Sequence, residues 1–148
     1  MATLPRLRIS LKPEHAIEVP RVSVGARRLV YVICASRPLP YEKGASKIAY
    51  IGTTQNGIDR VAQSAASRSD EVLGLHGIDR FHVRVVTCGP RRHVRSWRRL
   101  ERAFLIRFRE RYGEVPYCNA TGAGMVEKRE FELFARSRID AILEDLNT

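Results

Sequence analysis

The chain has 148 residues, enough for one hydrophobic core but too few for a catalytic domain with a large separate reader. Its formal charge of +10 favours a polyanionic partner, nucleic acid ahead of an anionic membrane, over an acidic small molecule. No apolar run is long enough to span a bilayer, and no basic start leads into an apolar signal core, so a soluble, cytoplasmic protein without a membrane partner is expected.

Residues 1–28 carry Pro5, Pro13 and Pro20 among several basic side chains, which reads as a basic N-terminal arm. The alternation of Leu7, Ile9 and Leu11 with Arg8 and Ser10 allows one edge strand within it. A buried strand is expected from Leu29 to Ala35 and its partner from Ser46 to Gly52. Between them Pro38, Pro40 and Gly44 predict a loop, Ser36 to Ala45, available for a DNA or dimer contact.

A helix from Gly57 to about Arg68, with Asn56 as its N-cap, follows from the spacing of Ile58, Val61, Ala62 and Ala65. Phe81, Val83 and Val85 mark a third strand ending before Gly89-Pro90. A long helix is expected from about Arg92 to Tyr112, stopped by Gly113. After a loop to Gly124, a final amphipathic helix is expected over 127–146, with Phe131, Phe134, Ile139, Ile142 and Leu146 facing the core. The sum is an α+β domain over 29–148, a small three-stranded antiparallel sheet flanked by helices.

The three cysteines, Cys34, Cys88 and Cys118, and the four histidines lack the spacing of a zinc site or a disulfide framework. The informative polar residue is Glu101. At 100° per residue from Trp97 it falls at about 40°, inside the stripe formed by Leu100, Phe104, Leu105 and Phe108. A carboxylate there must be paired with an arginine, protonated or bound to metal, since an isolated buried charge costs several kcal/mol. Arg91, Arg95, Arg98, Arg102 and Arg109 fall on a separate stripe of the same helix with no interleaved acid, a face suited to phosphate contacts.

Taken in order, Leu29-Val30-Tyr31, Tyr50-Ile51-Gly52, Arg60, Glu101 and Asn119 resemble the GIY-YIG nuclease family over about residues 29–122. The resemblance implies a metal-dependent endonuclease cutting DNA, with RNA not excluded, to 5′-phosphate and 3′-hydroxyl ends. Tyr31 would then help deprotonate the attacking water, Tyr50 orient the water or phosphate, and Arg60 contact the scissile phosphate. Glu101 would hold a single Mg²⁺ or Mn²⁺, and Asn119 would steady the site. Three departures stand out: Leu29-Val30 replaces the frequent Gly-Ile, the segment between the two tyrosines is longer than usual, and Ser64 stands where a histidine or tyrosine often follows the arginine. The alternative is a non-cleaving nucleic-acid-binding module on the same fold. One such site cuts one strand, so a double-strand break requires two subunits or two successive visits, and a homodimer is the expectation.

Overall fold

A computed structural model describes residues 4–21 and 25–148. The described part of the basic arm has no strand. Leu7, Ile9 and Leu11 are almost fully exposed, so the alternation there finds no sheet edge to pair with. Residues 1–3 and 22–24 of that arm lie outside the described residues.

Three strands form one antiparallel sheet in the order β2-β1-β3: β1 Leu29–Tyr41, β2 Gly44–Thr54 and β3 Phe81–Val86. Helices α1 Ile58–Ser67, α2 Ser69–Leu73, α3 Ser96–Tyr112, α4 Glu130–Leu133 and α5 Arg136–Asp145 flank it. The expected α+β architecture is therefore present, and no helix is long and apolar enough to cross a membrane among the described residues.

Side chains alternate across β1 and sort the helices between two faces. Leu29 and Tyr31 cluster with Val61 of α1, whereas Val30 and Val32 join the main core with Leu100, Phe104 and Phe108 of α3 and Ile139 and Leu143 of α5. Cys34 and Cys118 are buried in that core, and Cys88 packs against it. Asn147, just past α5, fastens the chain end to β2 by accepting from Ser46 Oγ at 2.7 Å and Lys47 N at 2.9 Å.

Four boundaries differ from the expectation. The loop from Ser36 to Ala45 is mostly strand: β1 and β2 run to a short turn at Tyr41 and Gly44. β3 pairs with β1 only as far as Ala35, so beyond that point β1 has an open side where a proline costs no ladder bond. The hairpin tip is held to the end of α3 and the residues after it, since Lys43 N donates to Tyr112 O and Glu42 N to the Glu114 carboxylate, while Glu42 to Ala45 remain exposed.

Gly57, at φ 77°, occupies the N-cap of α1 in place of Asn56, and the short α2, for which no element was expected, follows it. Helix α3 begins at Ser96 rather than Arg92, because an Arg91–Val94 bridge with His93 at φ 63° forms a turn first. Its end is as expected, with Gly113 left-handed at φ 82°.

The helix expected over 127–146 is two helices, broken by extended backbone at Phe134. The step of five from Phe134 to Ile139 cannot keep both on one face of a 3.6-residue helix, and the break restores the phase. Leu143, fully buried, takes the central core position of α5, with Ile142 partly buried beside it.

Candidate active site

Tyr31 and Tyr50 lie on adjacent strands but not directly opposite. Tyr31 pairs with Gly52, and Ile33 pairs with Tyr50, so the two tyrosines are diagonal neighbours on one face. Their ring centroids are 5.7 Å apart and tilted by 42°. A bulge on β2 sits beside this pair, where Ile33 and Cys34 oppose Tyr50 and Ile48 and leave Ala49 extra.

Gly52 makes the pairing possible. A Cβ there would lie 2.5 Å from Tyr50 Cε1 and 2.8 Å from Tyr31 Cζ. Both rings occupy space that any other residue would fill. A glycine inside a strand pattern is a recognised sign of close approach, a signal available in the sequence but not used in the expectations.

Ser64 comes to the same point from α1. Its hydroxyl is buried and lies 2.7 Å from the Tyr31 hydroxyl. The residue that departs from the family's pattern thus contacts the first tyrosine directly.

Arg60 lies one turn earlier on α1, exposed, with Nη1 donating to Gln63 at 2.9 Å. Arg68 lies one turn later at the C-cap, its guanidinium 3.8 Å from the centre of the Tyr50 ring and its Nη1 donating to Cys118 O at 3.4 Å. The i, i+4, i+8 spacing of Arg60, Ser64 and Arg68 aligns them along one helix flank. Arg68 was not singled out from sequence, although that spacing was available to find it.

Burial, reinforced by the neighbouring Tyr31, pushes the Tyr50 hydroxyl up to about 12; Arg68 opposes the shift and Glu101 adds to it. Tyr50 consequently keeps its proton at neutral pH, which leaves its hydroxyl able to donate a hydrogen bond. The Glu101 charge is the smallest of these contributions at Tyr50.

Glu101 is half-buried on α3 and makes no hydrogen bond or ion pair among the described residues. The buried-arginine alternative for it is thereby removed. Burial raises its carboxyl to about 7, against the pull of Arg98 and Arg102. No group of three or more His, Cys, Asp and Glu is placed to hold a metal among the described residues. An unpaired carboxylate does fit Mg²⁺, which commonly takes one or two carboxylates and completes its shell with water and substrate phosphate.

Asn119 has no free polar atom. Its Oδ1 accepts from Ile51 N at 3.0 Å and its Nδ2 donates to Ile51 O at 2.8 Å, the pattern of a short added strand. Cys118 N donates to Ala49 O at 2.9 Å, so this segment closes the outer edge of β2 on both sides of Tyr50. His76 does not reach the tyrosine pair; its ring lies against Tyr117 instead.

No family model, curated protein or solved structure matches the chain.

The expected arginine stripe does not survive as one surface. Arg102 Nε donates to the fully buried Glu130 at 2.6 Å, and Arg109 Nη1 donates to the carbonyls of Gly122, Ala123 and Met125. These two tie α3 to the chain that follows it. Arg91 precedes the helix and Arg95 caps it, so helical angles do not apply to them. Arg91, Arg95 and Arg98 are exposed and without an acidic partner among the described residues.

Proposed function

We propose that this chain is a divalent-metal-dependent endonuclease of the GIY-YIG type that hydrolyses DNA phosphodiesters. The observation that carries the reading is the convergence of two tyrosines, Ser64 and Arg68, with an unpartnered Glu101 near enough to perturb Tyr50. A structural core gains nothing from a half-buried carboxylate without a partner. The ordered resemblance to the family, from Tyr31 to Asn119, supports the same conclusion.

Tyr31, once ionised to phenolate, takes the proton of the attacking water, and the Ser64 hydroxyl can rotate to donate to the phenolate oxygen and stabilise it before the transfer. Tyr50, protonated, donates to the phosphate or orients the water. Arg60 and Arg68 are the cations available to the charge that develops on the phosphate oxygens. Water adds its oxygen to phosphorus, and O3′ leaves with a proton, giving the 5′-phosphate and the 3′-hydroxyl. Glu101 is the residue to hold Mg²⁺ or Mn²⁺, which when bound supplies charge neutralisation at the scissile phosphate.

The competing reading, a non-cleaving binding module, draws on Ser64 in place of the usual histidine or tyrosine. Replacing Tyr31 by Phe separates the two. Cleavage of supercoiled plasmid in Mg²⁺ should fall by about 100-fold or more, because the proton acceptor is lost. The lost Ser64 bond should cost only about 1 kcal/mol, and DNA binding should remain. Full cleavage by Tyr31→Phe would remove Tyr31 from the mechanism.

A further inference from the structure

The start of α3 and the segment around α4 enclose a groove of about 630 Å³, lined by Arg91, Arg95, Arg98, Arg99, Arg102 and Arg129. Glu132 is the one acid on its wall. We propose that this groove is a phosphate-binding channel for a single DNA strand, holding the backbone that continues from the scissile phosphate. The proposal rests on the nuclease reading for its position in the reaction, but not for the binding itself.

A buried carboxylate outside the lining holds two of the groove's arginines. Glu130, fully buried, accepts from Arg102 Nε at 2.6 Å, lies 3.5 Å from Arg99 Nη1, and accepts from Lys128 N at 2.7 Å. Burial works against its charge, but the Arg102 and backbone hydrogen bonds outweigh that and hold the carboxyl below its ordinary range. It is therefore a fixed anion that orients two guanidiniums. Arg102 Nη1 and the remaining N–H groups of Arg99 have no partner among the described residues and are free for a ligand.

Arg91, Arg95 and Arg98 add positive charge without an acidic partner, and α3 contributes a first turn with no acidic residue and no side-chain cap. Six guanidiniums around two carboxylates leave a net positive channel that suits a polyanion rather than a single carboxylate ligand. Arg98 and Arg102 of the groove wall stand three residues before and one residue after Glu101 on α3, so the groove and the candidate metal ligand share that helix. No Phe, Tyr or Trp lines it, which predicts a grip on phosphates without base stacking. Its volume is that of a small-ligand pocket, suited to a short run of one strand rather than to a duplex.

The test is the salt dependence of binding to a fluorescein-labelled single-stranded DNA in EDTA, where no cleavage occurs. Arg91→Ala/Arg95→Ala should lower the slope of log K against log salt by about 1.4, two contacts at roughly 0.7 each. Arg91→Lys/Arg95→Lys should retain the slope. Arg111→Ala/Arg138→Ala removes the same charge elsewhere and should leave the slope near the wild-type value. An unchanged slope in the first double variant, or an equal fall in the second, overturns the channel. Those outcomes with a wild type that still cuts would sink the channel alone. The predicted slopes with a wild type that never cuts would sink the nuclease reading and leave the channel standing.

Discussion

Gly52→Ala should both destabilise the protein and disable it, although the substitution adds a single methyl group. That methyl would lie 2.5 to 2.9 Å from atoms of both tyrosine rings, closer than van der Waals contact permits. Neither ring can yield easily. Tyr31 is buried against Val61 and bonded to Ser64, and Tyr50 lies between Tyr31 and the Arg68 guanidinium. Overpacking of this kind costs about 1–3 kcal/mol, a fall in Tm of about 3–10 °C for a chain of this length. Displacing the hydroxyls by a sizeable fraction of an ångström should reduce cleavage by about 100-fold. A thermal melt and a cleavage assay on Gly52→Ala check both effects; wild-type values in the two would mean that the rings are not packed as described.

Glu101→Gln should stabilise the protein at alkaline pH while abolishing cleavage. The carboxyl titrates near 7 in the folded chain against an ordinary 4.5, so the fold favours its protonated form. The stability linked to that proton is complete below about 4.5 and is lost as pH rises through 7. Above that point the wild type carries a half-buried charge that costs up to about 3 kcal/mol, and a neutral glutamine does not. In EDTA, Glu101→Gln should therefore melt above the wild type at pH 8, with the gap shrinking toward pH 5. Mg²⁺ should narrow the gap at pH 8, because a bound cation compensates the carboxylate only in the wild type. Wild-type cleavage should rise with pH through about 7 for the same reason, since the ligand must be ionised. A gap that instead widened on acidification would reverse the sign of this linkage.

Strand and helix identities were legible where periodicity was strong. The apolar run from Leu29 and the alternation from Phe81 predicted β1 and β3, and Gly113 ended α3 as a left-handed cap. Pro38 and Pro40 misled because proline excludes a residue only from a strand paired on both sides, and pairing of β1 to β3 stops at Ala35. The single C-terminal helix failed on a count, since Phe134 and Ile139 are five apart and out of phase.

The tyrosines and Glu101 could be named from order and helical angle because those are properties of the chain itself. Arg68 shared the i, i+4, i+8 row of Arg60 and Ser64 and was findable from it, but that Ser64 meets Tyr31 and Arg68 covers Tyr50 depended on how α1 lies across the sheet, which the angle of a single helix does not contain. The arginine stripe shows the same limit from the other side. Arg102 and Arg109 have the right angle for a solvent-facing stripe, but Glu130 and the carbonyls of the following loop claim them.

The most direct measurement is cleavage and binding of DNA by wild type and Glu101→Ala, each in Mg²⁺ and in EDTA, with a melt of both proteins. A wild type that cuts only with the metal, beside a folded Glu101→Ala protein that binds DNA and does not cut, is the result predicted. Undiminished cutting by Glu101→Ala, or a wild type that cuts neither DNA nor RNA with any divalent ion, would contradict the assignment.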